Sequence, residues 1–310
     1  MIMKSLRRPS ANSATENANA PMPFIIGAPR SGTTLLRFML DAHSQLAIPP
    51  ETGFFSRADA LVGDGADADA FVHQITHFPE HLPAWSDYGI DSGNLRNELE
   101  RINPFTAAAG FRAFYRMYAR RFGKNRWGDK TPLHSRHLGT IRRILPEARF
   151  IHIIRDGRDA ALSLREMWFS PGREIETQAK HWRDWVVAAR EAGAGHPDYL
   201  EVRYEELIAD PAAVLQRVCV FIDLPYEKEM LSYHLRVPER LKEHGTRLRI
   251  DGNVVVTHEK RLDQARLTTQ PPDSSRVLAW KESMTGDERE RFEALAGPLL
   301  RELGYEVLER

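Results

Sequence analysis

The sequence predicts an α/β protein in which a central parallel β-sheet is flanked by helices in three layers. Two apolar runs, residues 24–26 and 149–154, have the length and composition of buried strands, and each precedes a segment with helical periodicity. A third candidate strand, residues 199–202, precedes a helix that begins near Asp210. Because strands alternate with helices along the chain, the pattern favours a parallel sheet covered on both faces.

A long helix is predicted to begin at Asn103, since Asn is a good N-cap, Pro104 suits the first helical position and Gly123 follows the end. Its aromatic residues recur at helical spacing, and we expect them to pack in the core rather than to line a pocket. They are Phe111, Phe114, Tyr115, Tyr118 and Phe122.

Another helix is predicted near the C-terminus. Thr285 and Glu288 have the spacing of a capping box, and Gly304 is expected to end the helix. Residues 243–275, in contrast, are polar and lack a sustained period, which is typical of a functional or disordered loop.

Composition excludes several classes of function. The 310 residues carry 43 basic and 43 acidic side chains, so no global field attracts nucleic acid or acidic membranes, and any anion site has to be local. Cys219 is the only cysteine, which excludes an internal disulfide and disfavours a cysteine-based zinc site, and no metal is predicted. No apolar run suits a membrane span or a secretion signal, so a cytoplasmic location is expected.

The segment from Gly27 to Thr34 has the outline of a phosphate-binding turn between a strand and a helix. Glycines let the backbone approach a ligand, and the N-terminus of the helix adds positive potential. A nucleotide-triphosphate loop would place lysine after the second glycine, but Thr33 stands there and the nearest cation is Arg30. The turn therefore predicts a P-loop-like fold that binds an anion without the lysine typical of kinases.

The surrounding segment PFIIGAPRSGTTLLRFMLDAHSQL resembles the 5'-phosphosulfate-binding segment of sulfotransferases that use 3'-phosphoadenosine 5'-phosphosulfate (PAPS). It is most similar to the tyrosylprotein and carbohydrate branches of that family. By this resemblance the 5'-phosphosulfate would be held by Arg30, Ser31, Gly32, Thr33 and Thr34.

A second anion site is expected where the strand 149–154 ends. Arg155 follows that strand, and the carboxyl ends of parallel strands are where open α/β sheets bind ligands. Taken alone, Arg155 and Asp156 could equally form a surface ion pair. The segment IHIIRDGRDAALS also resembles the family's 3'-phosphate motif, which implies that Arg155 and Ser163 bind that phosphate.

Later segments extend the resemblance. EVRYEEL resembles a family segment whose tyrosine lies near the nucleotide, which implies that role for Tyr204. Residues 274–281 resemble the segment that closes over the 3'-phosphate and adenosine, which implies roles for Ser275 and Lys281.

Two departures from the family pattern accompany these matches. Residues 277–279 separate Arg276 from Trp280, whereas many relatives have a continuous Gly-Arg-Trp-Arg motif. Met167 stands where the tyrosylprotein branch has a further arginine, one helical turn after Ser163.

Sulfuryl transfer needs a base for the acceptor hydroxyl and cations that stabilise charge on the transferring group. Local sequence alone favours a solvated loop carboxylate for Glu51, but the resemblance implies that it is the catalytic base. The segment WGDKTP resembles the one that supplies a second cation, which implies that Lys130 acts opposite Arg30. The alternative for Lys130 is a salt bridge to Asp129.

The resemblance implies a PAPS-dependent sulfotransferase that needs no metal, and the lack of an apolar span in the sequence predicts that it is soluble. A P-loop kinase of small molecules and a non-catalytic nucleotide-binding protein are the alternatives; Thr33 in place of lysine disfavours the first, and Glu51 with Lys130 disfavours the second.

Residues 1–22 are expected to form a flexible tail and residues 23–310 a single domain, in which 55–122 and 243–275 form a cap and a loop on the acceptor side. The acceptor hydroxyl is open between a small molecule, a glycan and a peptide. No nucleic-acid partner and no membrane span are expected, and the sequence does not indicate the oligomeric state.

Overall fold

A computed structural model of the chain describes residues 20–61 and 67–308. The strands within these residues are, in chain order, β1 Met22–Ile26, β2 Leu46–Ala47, β3 Arg126–Trp127, β4 Asp129–Lys130, β5 Ala148–Ile154, β6 Tyr199–Arg203, β7 Arg247–Leu248 and β8 Val254–Val256. The α-helices are α1 Thr33–Asp41, α2 Ala68–Thr76, α3 Ser92–Leu99, α4 Ala107–Arg120, α5 Leu138–Ile144, α6 Gly157–Leu164, α7 Ile175–Gly193, α8 Tyr204–Ala209, α9 Pro211–Phe221, α10 Val237–Leu241, α11 His258–Ala265, α12 Trp280–Ser283 and α13 Gly286–Glu302.

The central sheet is parallel and has the strand order β4-β1-β5-β6. Ile25 of β1 pairs with Lys130 of β4 on one side and with Ile151 of β5 on the other. All four strands therefore end at the same edge, and the segments that follow them start close together. This arrangement confirms the predicted α/β fold class.

Side chains of the sheet alternate between two cores, as the pleat of a strand requires. Phe24, Ile26 and Phe150 pack with α4 and α5 on one face. Ile25 and Ile151 pack with α1, α8 and α9 on the other. Since both faces are covered, the strands consist of continuous apolar residues, which made β1 and β5 readable in the sequence.

The predicted strands and the last helix agree with the structure. Strand β1 begins at Met22, a residue that the sequence placed in the flexible tail; residues 1–19 of that tail lie outside the described residues. Thr285 and Glu288 form the expected capping box of α13, which ends at Glu302, before Gly304. The stripe on α4 is core: Phe111, Phe114, Tyr115 and Tyr118 have no exposed surface.

The predicted start of α4 was wrong. The helix begins at Ala107, and Thr106 is the N-cap, because its side chain accepts a hydrogen bond from the Ala109 amide at 3.2 Å. Asn103 and Pro104 precede the helix and stand in the loop before it. The sequence rule failed because Thr106 is also an acceptable cap, three residues later, and it is in register with the buried aromatic face.

The segment 243–275 is ordered into secondary structure that its composition did not predict. It contains the antiparallel pair β7–β8, the helix α11 and a short 3₁₀ turn at Arg266–Thr269. The segment 55–122 contains α2, α3 and α4, with residues 62–66 outside the described part. Among the helices that the structure describes, none is both long and apolar enough to cross a membrane.

The corrected cap gives a stability prediction. Thr106→Ala should lower the free energy of unfolding by about 1 kcal/mol, since it leaves the Ala109 amide without its cap. Asn103→Ala is the matched control and should change it by less than about 0.5 kcal/mol, as expected for a surface position without such a contact. Urea denaturation measures both, and an equal or larger loss in Asn103→Ala would contradict the assignment.

Candidate active site

A cavity of about 570 Å³ lies at the carboxyl edge of the sheet. Its walls come from the turn after β1, from β4, from the residue that follows β5 and from the segment 243–275. The polar and charged residues that line it include Arg30, Thr33, Thr34, Glu51, Lys130, Arg155, Ser163, Tyr204, His244, Arg247, Arg261, Asp273 and Arg276. Segments far apart in the sequence thus meet in one place.

The turn between β1 and α1 is fixed by close packing at Gly32. This residue has φ +98°, and a Cβ atom there would lie 2.5 Å from Cδ2 of Tyr204. Any side chain would therefore clash with the tyrosine ring and would also be strained by the backbone. Because α1 starts directly after Gly32, its N-terminal amides face the turn, which is where an anion is bound most favourably.

Arg30 is held against the helix α6. Its Nε donates a hydrogen bond to Oγ of Ser163 at 3.0 Å, which joins the two anion sites that the sequence predicted separately. Burial, together with the guanidinium groups of Arg155 and Arg276, lowers the pKa of Arg30. The three arginines therefore create a strongly positive potential at this end of the cavity.

Arg155 connects the turn to the late segment of the chain. It donates to the backbone oxygen of Arg30 at 3.1 Å and to that of Arg276 at 2.7 Å, and its guanidinium lies over the ring of Tyr204 at 4.6 Å. Within the part of the chain that the structure describes, Nε of Arg155 and Oγ of Ser31 are buried without a hydrogen-bond partner. An anion bound beside Arg155 would satisfy the first of these, so the residues present fit a phosphate ligand.

Lys130 and Glu51, which both line the cavity, form an ion pair. The lysine is buried and also donates to Oγ1 of Thr34 at 3.3 Å, whereas the glutamate side chain is about half exposed. Burial lowers the pKa of Lys130, and the charge of Glu51 counteracts this in part. The alternative partner of Lys130, Asp129, is occupied elsewhere by Thr52, Tyr115 and His134.

The two segments expected on the acceptor side contact each other beside the cavity. Asp87 is buried and accepts hydrogen bonds from both terminal nitrogens of Arg261, at 3.1 and 2.7 Å, and pairs with Arg247 at 3.1 Å. His244 lies nearby, where burial and the cations Arg261, Arg37, Lys130 and Arg247 lower its pKa to about 2. This histidine is therefore neutral at physiological pH.

Apolar residues complete the cavity wall. Phe78, Leu82 and Leu133 line it together with Trp168 and Phe169, which are large and substantially exposed. Phe54 and Phe55, which follow Glu51 by three and four residues, are instead buried in the core and anchor the loop that carries it.

The structure does not bring every residue implied by the resemblance into the cavity. Ser275 is exposed on a 3₁₀ turn, and Lys281 is exposed and pairs with Glu306 at 2.9 Å. Ser31 is buried within the turn rather than on the cavity wall. Arg276, which belongs to the same late segment as Ser275, does line the cavity.

The roles of Arg247, Arg261 and His244 could not be read from the sequence, because no motif marks them. No group of three or more His, Cys, Asp or Glu residues in the described ranges is arranged to hold a metal ion.

Comparison with known proteins identifies the family. Residues 21–228 match the family model described as "Sulfotransferase family". The chain belongs to the sulfotransferase family. It is therefore an enzyme that transfers sulfuryl groups, as the two anion-binding motifs predicted, and nothing in the comparisons supports a kinase.

Curated relatives agree with this assignment. The chain is 24% identical over 298 residues to protein-tyrosine sulfotransferase A of Caenorhabditis elegans, which covers 94% of this chain and 68% of that protein. It is 26% identical over 318 residues to the nodulation protein NoeE of Sinorhizobium fredii, and the match covers 93% of this chain and 67% of NoeE. The recognition of a PAPS-dependent sulfotransferase related to the tyrosylprotein branch is thus confirmed.

Solved structures share the fold. The sulfotransferase domain of the olefin synthase from Synechococcus PCC 7002 superposes with a TM-score of 0.58 at 22% identity and covers 93% of this chain and 96% of its own. The sulfotransferase domain of the curacin biosynthetic pathway gives a TM-score of 0.57 at 18% identity, and the superposition covers 93% of this chain and 99% of that domain. These likenesses confirm the P-loop-like sulfotransferase architecture.

The resemblance implies that Arg155 and Lys281 both bind the nucleotide, but only Arg155 lines the cavity. Arg155→Ala should weaken binding of the product 3'-phosphoadenosine 5'-phosphate (PAP) by about 10-fold to 100-fold, since a charge-assisted hydrogen bond contributes about 1.5–3 kcal/mol. Lys281→Ala should change the affinity less than about twofold, because this exposed lysine contacts Glu306 outside the cavity. Isothermal calorimetry measures both, and equal losses in the two variants would contradict the placement.

Proposed function

We propose that this sulfotransferase moves the sulfuryl group of PAPS to an acceptor hydroxyl by in-line displacement. In this proposal Glu51 is the general base, and Arg30 and Lys130 stabilise the charge that develops on the transferring group and on the leaving phosphate. The observation that carries the proposal is the Lys130–Glu51 pair, which places a carboxylate and a buried cation together beside an anion-binding turn.

The two anion sites would divide the nucleotide between them. The 5'-phosphosulfate would be held by Arg30, by Thr33 and Thr34, and by the backbone amides around Gly32 and Ser31. The 3'-phosphate would be held by Arg155 and Ser163, with Tyr204 beside the nucleotide and Arg276 as an additional cation. Ser275 and Lys281 stay predictions of the resemblance, since neither lines the cavity.

The chemistry requires one bond to break and one to form. The bond between sulfur and the bridging phosphate oxygen breaks, the acceptor oxygen bonds to sulfur, and the hydroxyl proton passes to Glu51, so that PAP and the sulfate ester are the products. Lys130 can exchange the Glu51 carboxylate for an anionic oxygen of the donor, which leaves Glu51 free to accept the proton. A positioned base contributes about 10²–10⁴-fold to the rate, and a preorganised cation or donor about 10²–10³-fold.

The acceptor would enter between the segments 55–122 and 243–275, which both contribute residues to the cavity wall. The apolar wall with Phe78, Leu82 and Trp168 would suit an acceptor with an apolar body, and small molecules, glycans and peptides all stay open. The cytoplasmic location stays a prediction.

Calorimetric titration with PAP, with ATP and 5'-AMP as comparisons and no added metal, tests the donor site. The proposal predicts that PAP binds at least about 10-fold more tightly than either comparison, because only PAP carries phosphates for both sites. Preference for ATP, or equal affinity for all three, would contradict it. Turnover is then followed as PAP formation from PAPS, with the best acceptor among 4-nitrophenol, N-acetyltyrosine amide, a methyl glycoside and 1-decanol.

The role of Glu51 gives a kinetic prediction. Glu51→Gln should lower kcat by about 10²-fold or more while the PAP affinity changes less than about threefold, because the amide cannot accept the proton but keeps the side-chain volume. Glu80→Gln is the control, since Glu80 is an exposed carboxylate paired with Arg57. Retention of kcat in Glu51→Gln would exclude it as the base.

The role of Lys130 gives a prediction of pH dependence. The lysine is positive only below its pKa, which burial lowers from the usual value of about 10.4, so kcat/KM should fall as the pH rises through that lowered pKa. Lys130→Arg should move this alkaline limb to higher pH, since a guanidinium stays charged. An alkaline limb that is unchanged in Lys130→Arg would show that a different group titrates.

A further inference from the structure

Asp129 is a buried carboxylate that takes no part in the mechanism proposed above. Its side chain has no exposed surface. Oδ2 accepts hydrogen bonds from Oγ1 of Thr52 at 2.7 Å and from the hydroxyl of Tyr115 at 2.8 Å, and Oδ1 lies 2.9 Å from Nδ1 of His134. Three groups from separate segments therefore converge on one charge in the core.

The hydrogen bonds around Asp129 connect the segment that carries Lys130 to the segment that carries Glu51. Asp129 precedes Lys130 in β4, and Thr52 follows Glu51 in the loop after β2. Thr131, on the other side of Lys130, accepts a hydrogen bond from the Thr52 amide at 3.0 Å through its Oγ1. Asp129 and Thr131, which flank Lys130, thus both accept hydrogen bonds from Thr52, which follows Glu51.

This arrangement follows from the alternation of side chains along a strand. Asp129 and Thr131 project to the face opposite to Lys130. Thr52 is therefore held on one face of this stretch, while Lys130 reaches Glu51 from the other. The Tyr88 hydroxyl, in the segment 55–122, donates a hydrogen bond to the backbone oxygen of Glu51 at 3.0 Å. This contact also holds Glu51 in place.

Asp129 also acts electrostatically. Burial by itself raises the pKa of the Asp129 carboxyl, but the nearby His134 and the hydrogen bonds from Thr52 and Tyr115 together lower it below its usual value. The carboxylate is therefore ionised, and its charge raises the pKa of Lys130 against the effect of burial. Asp129 thus supports both the place of Glu51 and the charge of Lys130.

We propose that Asp129 is a positioning residue for sulfuryl transfer, acting through Thr52 on Glu51 and through its charge on Lys130. The inference rests on the proposed roles of Glu51 and Lys130. If Asp129 served only to satisfy polar groups in the core, its donors would be equivalent, and the loss of any one would affect stability alone. The proposal instead predicts that loss of the Thr52 hydrogen bond lowers turnover as well as stability.

The test compares two donors to the same carboxylate oxygen. Thr52→Val removes the hydroxyl on the Glu51 side, and Tyr115→Phe removes the hydroxyl on the α4 side. With the acceptor chosen above, Thr52→Val should lower kcat about 10-fold to 100-fold, because a displacement of about 1 Å has effects of this size, while KM for PAPS changes less than about threefold. Thr52→Ser keeps the hydroxyl and should restore kcat.

Tyr115→Phe should lower the melting temperature by a similar amount to Thr52→Val but keep kcat within about twofold, since each variant removes one buried hydrogen bond. Asp129→Asn adds an independent readout: the alkaline limb of kcat/KM should move to lower pH, because Lys130 loses a nearby negative charge.

Equal kcat values for Thr52→Val and Tyr115→Phe, or an alkaline limb that stays in place in folded Asp129→Asn, would overturn the inference. These outcomes are distinguishable from failure of the proposed function. If Glu51→Gln and Lys130→Arg alter turnover as expected but Thr52→Val does not, only the role of Asp129 is lost. If Glu51→Gln itself retains kcat, the assignment of the base fails first.

Discussion

The site depends on one constraint, which is that four parallel strands end at the same edge of the sheet. Strand β1 lies between β4 and β5, with Ile25 in register with both Lys130 and Ile151. The turn after β1, the lysine of β4 and the arginine after β5 therefore emerge side by side. If β1 paired elsewhere, the anion-binding turn, the buried cation and Arg155 would lie apart, and no local feature of these segments could bring them together.

This geometry concentrates positive charge in a protein whose total charge is zero. Burial and the charges of Arg155 and Arg276 lower the pKa of Arg30, and the buried Lys130 lines the same cavity. Backbone oxygens hold Arg155, Ser163 holds Arg30 and Glu51 holds Lys130, so each cation is preorganised. Because the groups are fixed and partly desolvated, a bound anion gains more from them than it would from mobile surface lysines.

The sequence was most informative where local chemistry determines the structure. Strands β1 and β5 are continuous apolar runs, and the glycine turn needs Gly32 because Tyr204 leaves no room for a Cβ atom. Arg155 follows its strand directly, so its place at the sheet edge was predictable. The start of α4 was missed because Thr106 and Asn103 are both acceptable caps, and only the packing of the helix selects between them.

Features set by long-range contacts were not predictable in the same way. The segment 243–275 looked irregular because its order depends on Arg247 and Arg261 binding Asp87, more than 150 residues earlier in the chain. In the late segment, Arg276 lines the cavity while Lys281 is exposed and pairs with Glu306, and the sequence did not indicate this difference. Neither the Asp129 contacts nor the Lys130–Glu51 pair leaves a spacing pattern in the sequence.

A crystal structure of the enzyme with PAP tests the central claim most directly, since it locates both phosphates relative to the sheet edge. The account predicts that the 5'-phosphate lies within about 3 Å of the amides of residues 31–34 and that the 3'-phosphate contacts the Arg155 guanidinium, with Glu51 and Lys130 at the end nearest the 5'-phosphate. PAP bound with neither phosphate in hydrogen-bond contact with the turn or with Arg155 would contradict it.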